Sequence, residues 1–115
     1  MTGETGREFM PVVSDALPPG ERPMIAVVRS APGHEGQLAA AITVLTAAVR
    51  REPGCREFRA FREAEQPGVF HLYEVYDDNE AFRVHLGTDH VAHFFTELEA
   101  NSTADAQALV QLVEL

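Results

Sequence analysis

The sequence predicts a single α+β domain in which strands and helices follow one another in the order β-α-β-β-α-β. Three observations lead to this class. Short runs of β-branched and apolar residues are typical of strands, one longer segment has apolar residues three and four positions apart, and proline or glycine stands at most boundaries. The chain has 115 residues, which suits one domain and is too short for two.

The first half of the chain is predicted to contain an arm, a strand and a helix. Residues 1–23 include four of the seven prolines and are expected to form an N-terminal arm, either flexible or wrapped around a partner subunit. The apolar run at residues 24–29 is typical of a buried strand. In residues 34–52 the apolar side chains fall on one helical stripe, and Glu52-Pro53-Gly54 ends that helix.

The second half is predicted to supply three strands. Residues 55–63 and 69–76 read as a hairpin, because the segment between them is short and rich in turn-forming residues. Residues 107–114 alternate well enough for a final strand after the polar break at residues 101–103.

A second helical region, broken in two, lies between the last two strands. Asp77 and Glu80 have the spacing of a capping box and predict the start of a short helix that Gly87 ends. Thr88 is placed to cap the next helix.

This order is the ferredoxin-like arrangement, a four-stranded antiparallel sheet with the helices on one face. The first and last predicted strands are apolar on both sides, so the sheet face away from the helices also needs cover. A second copy of the same sheet is the simplest cover. The sequence therefore predicts a homodimer with two-fold symmetry.

Charge and cysteine content disfavour several classes of partner. The net charge is −9 and all nine basic residues are arginines without a cluster, so nucleic acids and anionic membranes would repel the chain. No apolar run approaches the roughly 20 residues of a membrane span, and the N-terminus lacks a signal-peptide pattern. Cys55 is the single cysteine and cannot form an internal disulfide. We therefore expect a cytoplasmic protein.

Residues 51–55 (REPGC) and 70–95 (FHLYEVYDDNEAFRVHLGTDHVAHFF) resemble the antibiotic biosynthesis monooxygenase family. The shared pattern is a Glu-Pro-Gly-Cys turn, an aromatic strand ending in Glu-x-Tyr, an acidic helix start and two spaced histidines. The resemblance covers residues 24–115 and implies a dimeric α+β barrel. That frame hosts oxygenases of aromatic polyketides, quinol oxygenases, haem-degrading enzymes and a sugar-phosphate isomerase. The chain lacks tryptophan and has no asparagine in its first strand, which disfavours haem degradation.

Three residues are candidates for catalysis. Glu74 falls on the apolar face of its strand, where it either orients a catalytic group or forms an ion pair with Arg56 or Arg62. His85 should point from the short helix toward the sheet; it is either a general base or a packed structural histidine. The resemblance makes it the family's first helix histidine. His90 matches the second one, and a local capping role is its alternative.

A substrate pocket is predicted between the sheet and the two short helices, because their side chains are rich in aromatic rings. The substrate-binding candidates are Arg62 as anion stabiliser, Tyr73 or Tyr76 as pocket wall or hydrogen-bond donor, and Phe58 or Phe61 together with Phe82 and Phe94 as pocket walls. A metal site is not predicted, because the helical faces of His90 and His93 diverge. Cys55 is expected to pack rather than react.

These residues favour a cofactor-independent monooxygenase that acts on a phenolic, anthrone-like or quinol substrate. Once deprotonated, such an electron-rich substrate can reduce dioxygen itself, so the protein needs only to bind it, remove one proton and stabilise the anion. Two alternatives stay open. One is an isomerase or cyclase of an enolisable small molecule, and the other is a non-catalytic small-molecule-binding dimer.

Overall fold

A computed structural model describes residues 17–115, with the backbone alone described at residues 104–106. Its elements are β1 (Arg22–Ser30), α1 (Glu35–Val49), β2 (Cys55–Arg62), β3 (Val69–Tyr76), α2 (Asn79–Leu86), α3 (Asp89–Asn101) and β4 (Ser102–Gln111). The predicted order is confirmed, including the second helical region in two parts. Most of the expected N-terminal arm lies outside the described residues. Strand β1 begins at Arg22, which is two residues before the predicted strand and inside the range predicted for the arm.

The strands form one antiparallel sheet in the order β2-β3-β1-β4, which confirms the ferredoxin-like arrangement. Within one chain this sheet is open. Strand β3 is central, and its residue Glu74 lies in register between Met24 of β1 and Phe58 of β2. Strand β4 begins at Ser102, five residues before the prediction, because α3 passes directly into the strand without the predicted break.

The helices cover one face of the sheet, and the core lies between them. Along β1, the buried Met24, Ala26 and Val28 alternate with half-buried residues, as expected for a strand with one covered face. The buried stripe of α1 packs on this face and consists of Leu38, Ile42, Leu45 and Val49. Across residues 17–115, none of the helices has the length and apolar character needed to span a membrane.

The opposite face of the sheet is apolar and partly open to water. It carries the half-buried Ile25, Val27 and Tyr73, while Phe61 is 46% exposed and Val110 is 52% exposed. Burying apolar surface stabilises a protein by roughly 25 cal/mol per Å². We call this surface the outer face. It is the face that the sequence predicts to be covered by a second copy of the chain.

Two caps set the starts of α2 and α3. The predicted cap Asp77 is wrong by one residue: Asp78 accepts a hydrogen bond from the Ala81 N–H at 2.8 Å. The reason is that the Asp77 N–H still bonds to the Gly54 carbonyl at 2.9 Å, so the chain leaves the sheet one residue later. Thr88 caps α3 as predicted, accepting from the Val91 N–H at 3.4 Å.

Candidate active site

A cavity lies between the helix-covered face of the sheet and helices α2 and α3. The space open to the centres of water-sized molecules is about 50 Å³, more than the 10–15 Å³ that one water requires. Its wall is apolar except for Glu74 and His85. The structure brings five predicted site residues together around it: Phe58, Phe82, Phe94, Glu74 and His85.

Glu74 presents a carboxyl group on the central strand, where the residue is only 6% exposed. Its Oε1 accepts a hydrogen bond from the Tyr76 hydroxyl at 2.7 Å. Burial raises the pKa of Glu74 to about 7; the Tyr76 hydrogen bond opposes this shift, and the negative charge of Glu52 adds to it. Near neutral pH this group can therefore act as an acid or as a carboxylate.

Neither arginine considered as an ion-pair partner reaches Glu74. Arg56 binds Asp77 at 3.2 Å on the surface. Arg62 pairs in register with Phe70, about 13 Å along the strand from the position that pairs with Glu74, and its guanidinium lies 5.1 Å from the centre of the Phe70 ring. The ion pair is therefore not formed, and Arg62 is far from the polar end of the cavity.

His85 lies in the last turn of α2 and is buried between aromatic rings. Its ring centre is 4.8 Å from that of Tyr76 and 5.9 Å from that of Phe82. The Nδ1 atom lies 3.0 Å from Glu52 Oε2, and the Nε2 atom lies 4.0 Å from Glu74 Oε1. The imidazole therefore stands between two carboxyl groups, one on each side.

These contacts fix the protonation of His85. A carboxylate can only accept a hydrogen bond, so the Nδ1 atom that faces Glu52 carries the proton and Nε2 keeps its lone pair. Burial lowers the pKa of His85 below its ordinary 6.5, against the raising effect of the Glu52 hydrogen bond. At neutral pH the ring is thus uncharged, with an acceptor nitrogen toward Glu74.

Glu52 is the site residue that sequence reasoning missed. Its Oε2 lies 3.0 Å from His85 Nδ1 and 2.5 Å from His90 Nε2, and its side chain is only 9% exposed. In the sequence, Glu52 stands out only as part of the Glu-Pro-Gly-Cys turn that ends α1, without a catalytic role. A signal was present: a carboxylate just after a helix C-terminus opposes the helix dipole, so it indicates a partner elsewhere.

Gly54 explains how Glu52 reaches the histidines. The turn after α1 packs directly on α2, so that a Cβ atom on Gly54 would lie 2.6 Å from the Cβ of Ala81. Such a contact is far shorter than normal packing allows. A glycine at this point therefore lets the turn approach α2 closely enough to form the Glu52–His85 hydrogen bond.

The other predicted substrate-binding residues lie outside the cavity wall. Tyr76 is fully buried beneath it and acts through its hydrogen bond to Glu74. Phe61 and Tyr73 lie on the outer face, away from the cavity. Side chains alternate along β2 and β3, so Phe61, three residues after Phe58, and Tyr73, next to Glu74, point away from the helices.

Three further side chains, those of His93, His34 and Cys55, are not part of the Glu52–His85–Glu74 arrangement. His93 is exposed on α3, with its Nε2 4.0 Å from Glu97 Oε2. His34 Nδ1 lies 2.9 Å from the Asn101 Oδ1. Cys55 is half-buried, and burial together with the charges of Glu52 and Glu74 raises its pKa to about 11.

Comparisons with known proteins agree with this architecture. The sequence profile described as antibiotic biosynthesis monooxygenase matches residues 24–97. Protein PA3566 from Pseudomonas aeruginosa has a similar structure, with 26% identity and a TM-score of 0.78 over 91% of this chain and 99% of that chain. Rv0793 from Mycobacterium tuberculosis has 24% identity and a TM-score of 0.76 over 83% and 95% of the two chains. No curated protein matches the sequence.

Proposed function

This chain belongs to the antibiotic biosynthesis monooxygenase family, and we propose that it is a cofactor-independent monooxygenase of a phenolic, anthrone-like or quinol substrate. One observation carries the proposal. His85 is uncharged, its Nδ1 is held by Glu52, and its Nε2 acceptor stands beside Glu74 at the wall of an apolar cavity. This is the arrangement that a general base requires.

The proposed reaction begins with a proton transfer. His85 Nε2 accepts a proton from the acidic O–H or C–H group of the substrate. The resulting anion is electron-rich and reduces dioxygen. With an anthrone-like methylene, one oxygen atom becomes the new carbonyl, and the other leaves as water with the two methylene hydrogens. The substrate thus supplies all the electrons.

Glu74 has a supporting role in this proposal. As a carboxylate it would stabilise the imidazolium that forms at His85, 4.0 Å away, and as an acid it would supply a proton to the departing oxygen. Its pKa of about 7 allows both forms near neutral pH. The Tyr76 hydrogen bond holds its Oε1 in place. Apolar walls strengthen these interactions, because they keep water out.

The proposal includes a two-fold homodimer in which the outer faces of two sheets pack together. Its support is the apolar character of Ile25, Val27, Phe61, Tyr73 and Val110 on that face. Pairing would bury these side chains and complete an α+β barrel from two open sheets.

Oxygen uptake by metal-free protein tests the function directly. With an accepted quinol or anthrone, we expect consumption of one dioxygen per substrate without added flavin or metal. His85→Ala should lower kcat by about 10²–10⁴-fold with a much smaller change in KM, since the lost interaction belongs to the transition state. His93→Ala, an exposed histidine on α3, is the matched control. Near-normal turnover of His85→Ala would rule out this base.

The same acid–base pair favours a second candidate, an isomerase or cyclase of an enolisable molecule. Glu74 and His85 could return to the substrate the proton they remove, because the two groups lie on one cavity wall. Product formed under nitrogen would assign this activity. Tight binding of small aromatic molecules without turnover would assign a binding dimer instead.

A further inference from the structure

We propose that Glu52, His85 and His90 form a binding site for a divalent transition-metal ion, and that the bound ion switches off the His85 base. The three side chains come from three parts of the chain: the turn after α1, the end of α2 and the first turn of α3. Each offers one ligand atom, and these atoms lie within 4.8 Å of one another. Two imidazoles and one carboxylate are a ligand set that Zn²⁺ and Fe²⁺ both accept.

The distances fit such an ion after small side-chain rotations. Bond lengths of about 2.0–2.2 Å in a tetrahedral site place neighbouring ligand atoms about 3.3 Å apart. Glu52 Oε2 is 3.0 Å from His85 Nδ1 and 2.5 Å from His90 Nε2. An ion would have to move the Glu52 oxygen away from each nitrogen by less than about 1 Å. The two histidine nitrogens, which lie within 4.8 Å of each other, would have to come no more than about 1.5 Å closer.

A second observation supports the site from outside the ligand set. A histidine that binds a metal through one nitrogen normally donates its other N–H to a carboxylate or carbonyl, which holds the ring in place. His85 has the geometry for this arrangement once its proton moves to Nε2: Nδ1 faces the ligand cluster, and Nε2 lies 4.0 Å from Glu74 Oε1, so a small rotation of either side chain would bring a hydrogen bond within reach. Tyr76 in turn holds Glu74 through a hydrogen bond of 2.7 Å.

Charge gives the reason for a cation here. The Glu52 side chain is 9% exposed, and its hydrogen-bond partners among residues 17–115 are the two imidazoles. No arginine is among those partners, and a second buried carboxyl, Glu74, lies 4.0 Å from the far side of the His85 ring. Buried charges are stable when they are paired or bound to a metal, and a divalent ion would neutralise this one.

Metal binding has a consequence for the base, and this part rests on the proposed function. A neutral imidazole carries one proton. When the ion takes the lone pair of His85 Nδ1, the proton must reside on Nε2, so the acceptor nitrogen that faces Glu74 becomes a donor. The metal-bound protein can then no longer deprotonate a substrate at Nε2.

The proposed metal binding is tested on tag-free protein that has been treated with EDTA and then dialysed. Titration calorimetry with Zn²⁺ should show one ion per chain, and Co²⁺ should give the visible absorption bands of a site with nitrogen and oxygen ligands. His90→Ala should weaken Zn²⁺ binding by at least about tenfold. His93→Ala should bind as wild type does, because its side chain is 65% exposed. Absence of saturable binding below about 100 µM, or equal affinity in wild type and His90→Ala, overturns the site.

The proposed inhibition of the His85 base by the bound ion is tested by measuring turnover. Zn²⁺ should reduce oxygen uptake in proportion to its occupancy, and EDTA should restore the original rate. A rate that rises as Zn²⁺ binds would overturn the switch. Because metal binding is measured without a substrate, a protein that binds Zn²⁺ but turns over no quinol or anthrone would keep the site and reject the proposed function.

Discussion

At the scale of single residues, burial shifts the pKa values of Glu74 and His85 in opposite directions. Burial disfavours the charged form of any group, so it raises the pKa of the carboxyl and lowers that of the imidazole. The Glu74 carboxyl, with a pKa of about 7, can therefore gain or lose a proton near neutral pH, whereas the His85 ring is uncharged there. The proposed acid–base catalysis requires groups in these states.

The raised pKa of Glu74 predicts how stability depends on pH. In the unfolded chain this carboxyl loses its proton near pH 4.5, whereas the folded protein keeps it up to about pH 7. Folding therefore takes up a proton in this window. The stabilisation is complete below pH 4.5 and is lost as pH rises through 7, a change of about 3 kcal/mol. Urea unfolding from pH 5 to 8 in the presence of EDTA measures it.

Glu74→Gln is the control, because it keeps the shape of the side chain and removes its titration. The groups that face Glu74, namely Tyr76, His85, Glu52 and Cys55, remain in both proteins. The lowered pKa of His85 acts in the opposite direction, costing stability below pH 6.5, so the difference between the two proteins isolates Glu74. Parallel stability curves for the two proteins would contradict the shift.

At the scale of elements, the turn between α1 and β2 decides whether the site forms. Residues 50–54 contribute no regular structure, yet they carry Glu52 to the end of α2. The Gly54 carbonyl also accepts from the Asp77 N–H at 2.9 Å, which ties the turn to the end of β3. The turn is therefore held on two sides, by the sheet and by a helix.

Gly54→Ala should disturb this element specifically. The added methyl would meet Ala81 at 2.6 Å, so the turn and α2 must separate, and we expect a loss of about 1–3 kcal/mol in the free energy of unfolding. Turnover should fall as well, because Glu52 and His85 move apart. Gly36→Ala in α1 is the matched control, because a Cβ atom added there would meet no neighbouring group within 4 Å. The free energy of unfolding of this variant should be unchanged or rise by up to about 1 kcal/mol. Equal stability of the two variants would show that the close approach is unimportant.

Sequence patterns predicted the elements well and the site in part, for a physical reason. Strands and helices depend on neighbours two to four positions apart, so alternation places Glu74 on the helix-covered face, and periodicity turns His85 toward the sheet. Glu52 depends on partners 33 and 38 residues away in the chain, which no local pattern reveals. The observed cap of α2 is Asp78 rather than the predicted Asp77, because the Asp77 N–H bonds to the Gly54 carbonyl. That contact is also between residues distant in the sequence.

At the scale of the whole molecule, the two faces of the sheet differ in how they are completed. The inner face is covered by helices from the same chain, whereas the outer face carries apolar side chains that stay partly exposed, with Phe61 at 46% and Val110 at 52%. A domain of 115 residues buries about two thirds of its unfolded surface. Pairing two outer faces would therefore bury additional apolar surface and so stabilise a protein whose own core is small.

Ile25→Glu should split the proposed dimer. Ile25 lies on the outer face of central strand β1, so a carboxylate there would be buried in the proposed interface. Light scattering after size exclusion should give twice the 12.6 kDa chain mass for wild type and a single chain mass for the variant. Val44→Glu, at a position 60% exposed on α1, should remain dimeric. A wild-type monomer at micromolar concentration would contradict the pairing.

The high pKa of Cys55 has a consequence for durability. Chemistry that reduces dioxygen in a pocket can release peroxide when an intermediate collapses early, and peroxide attacks cysteine in its thiolate form. With a pKa of about 11, Cys55 holds only about one thiolate in ten thousand molecules at pH 7. The two carboxyl groups on either side of His85, Glu52 and Glu74, both contribute to that shift. The charges that would organise the proposed reaction therefore also keep the single cysteine in its less reactive thiol form.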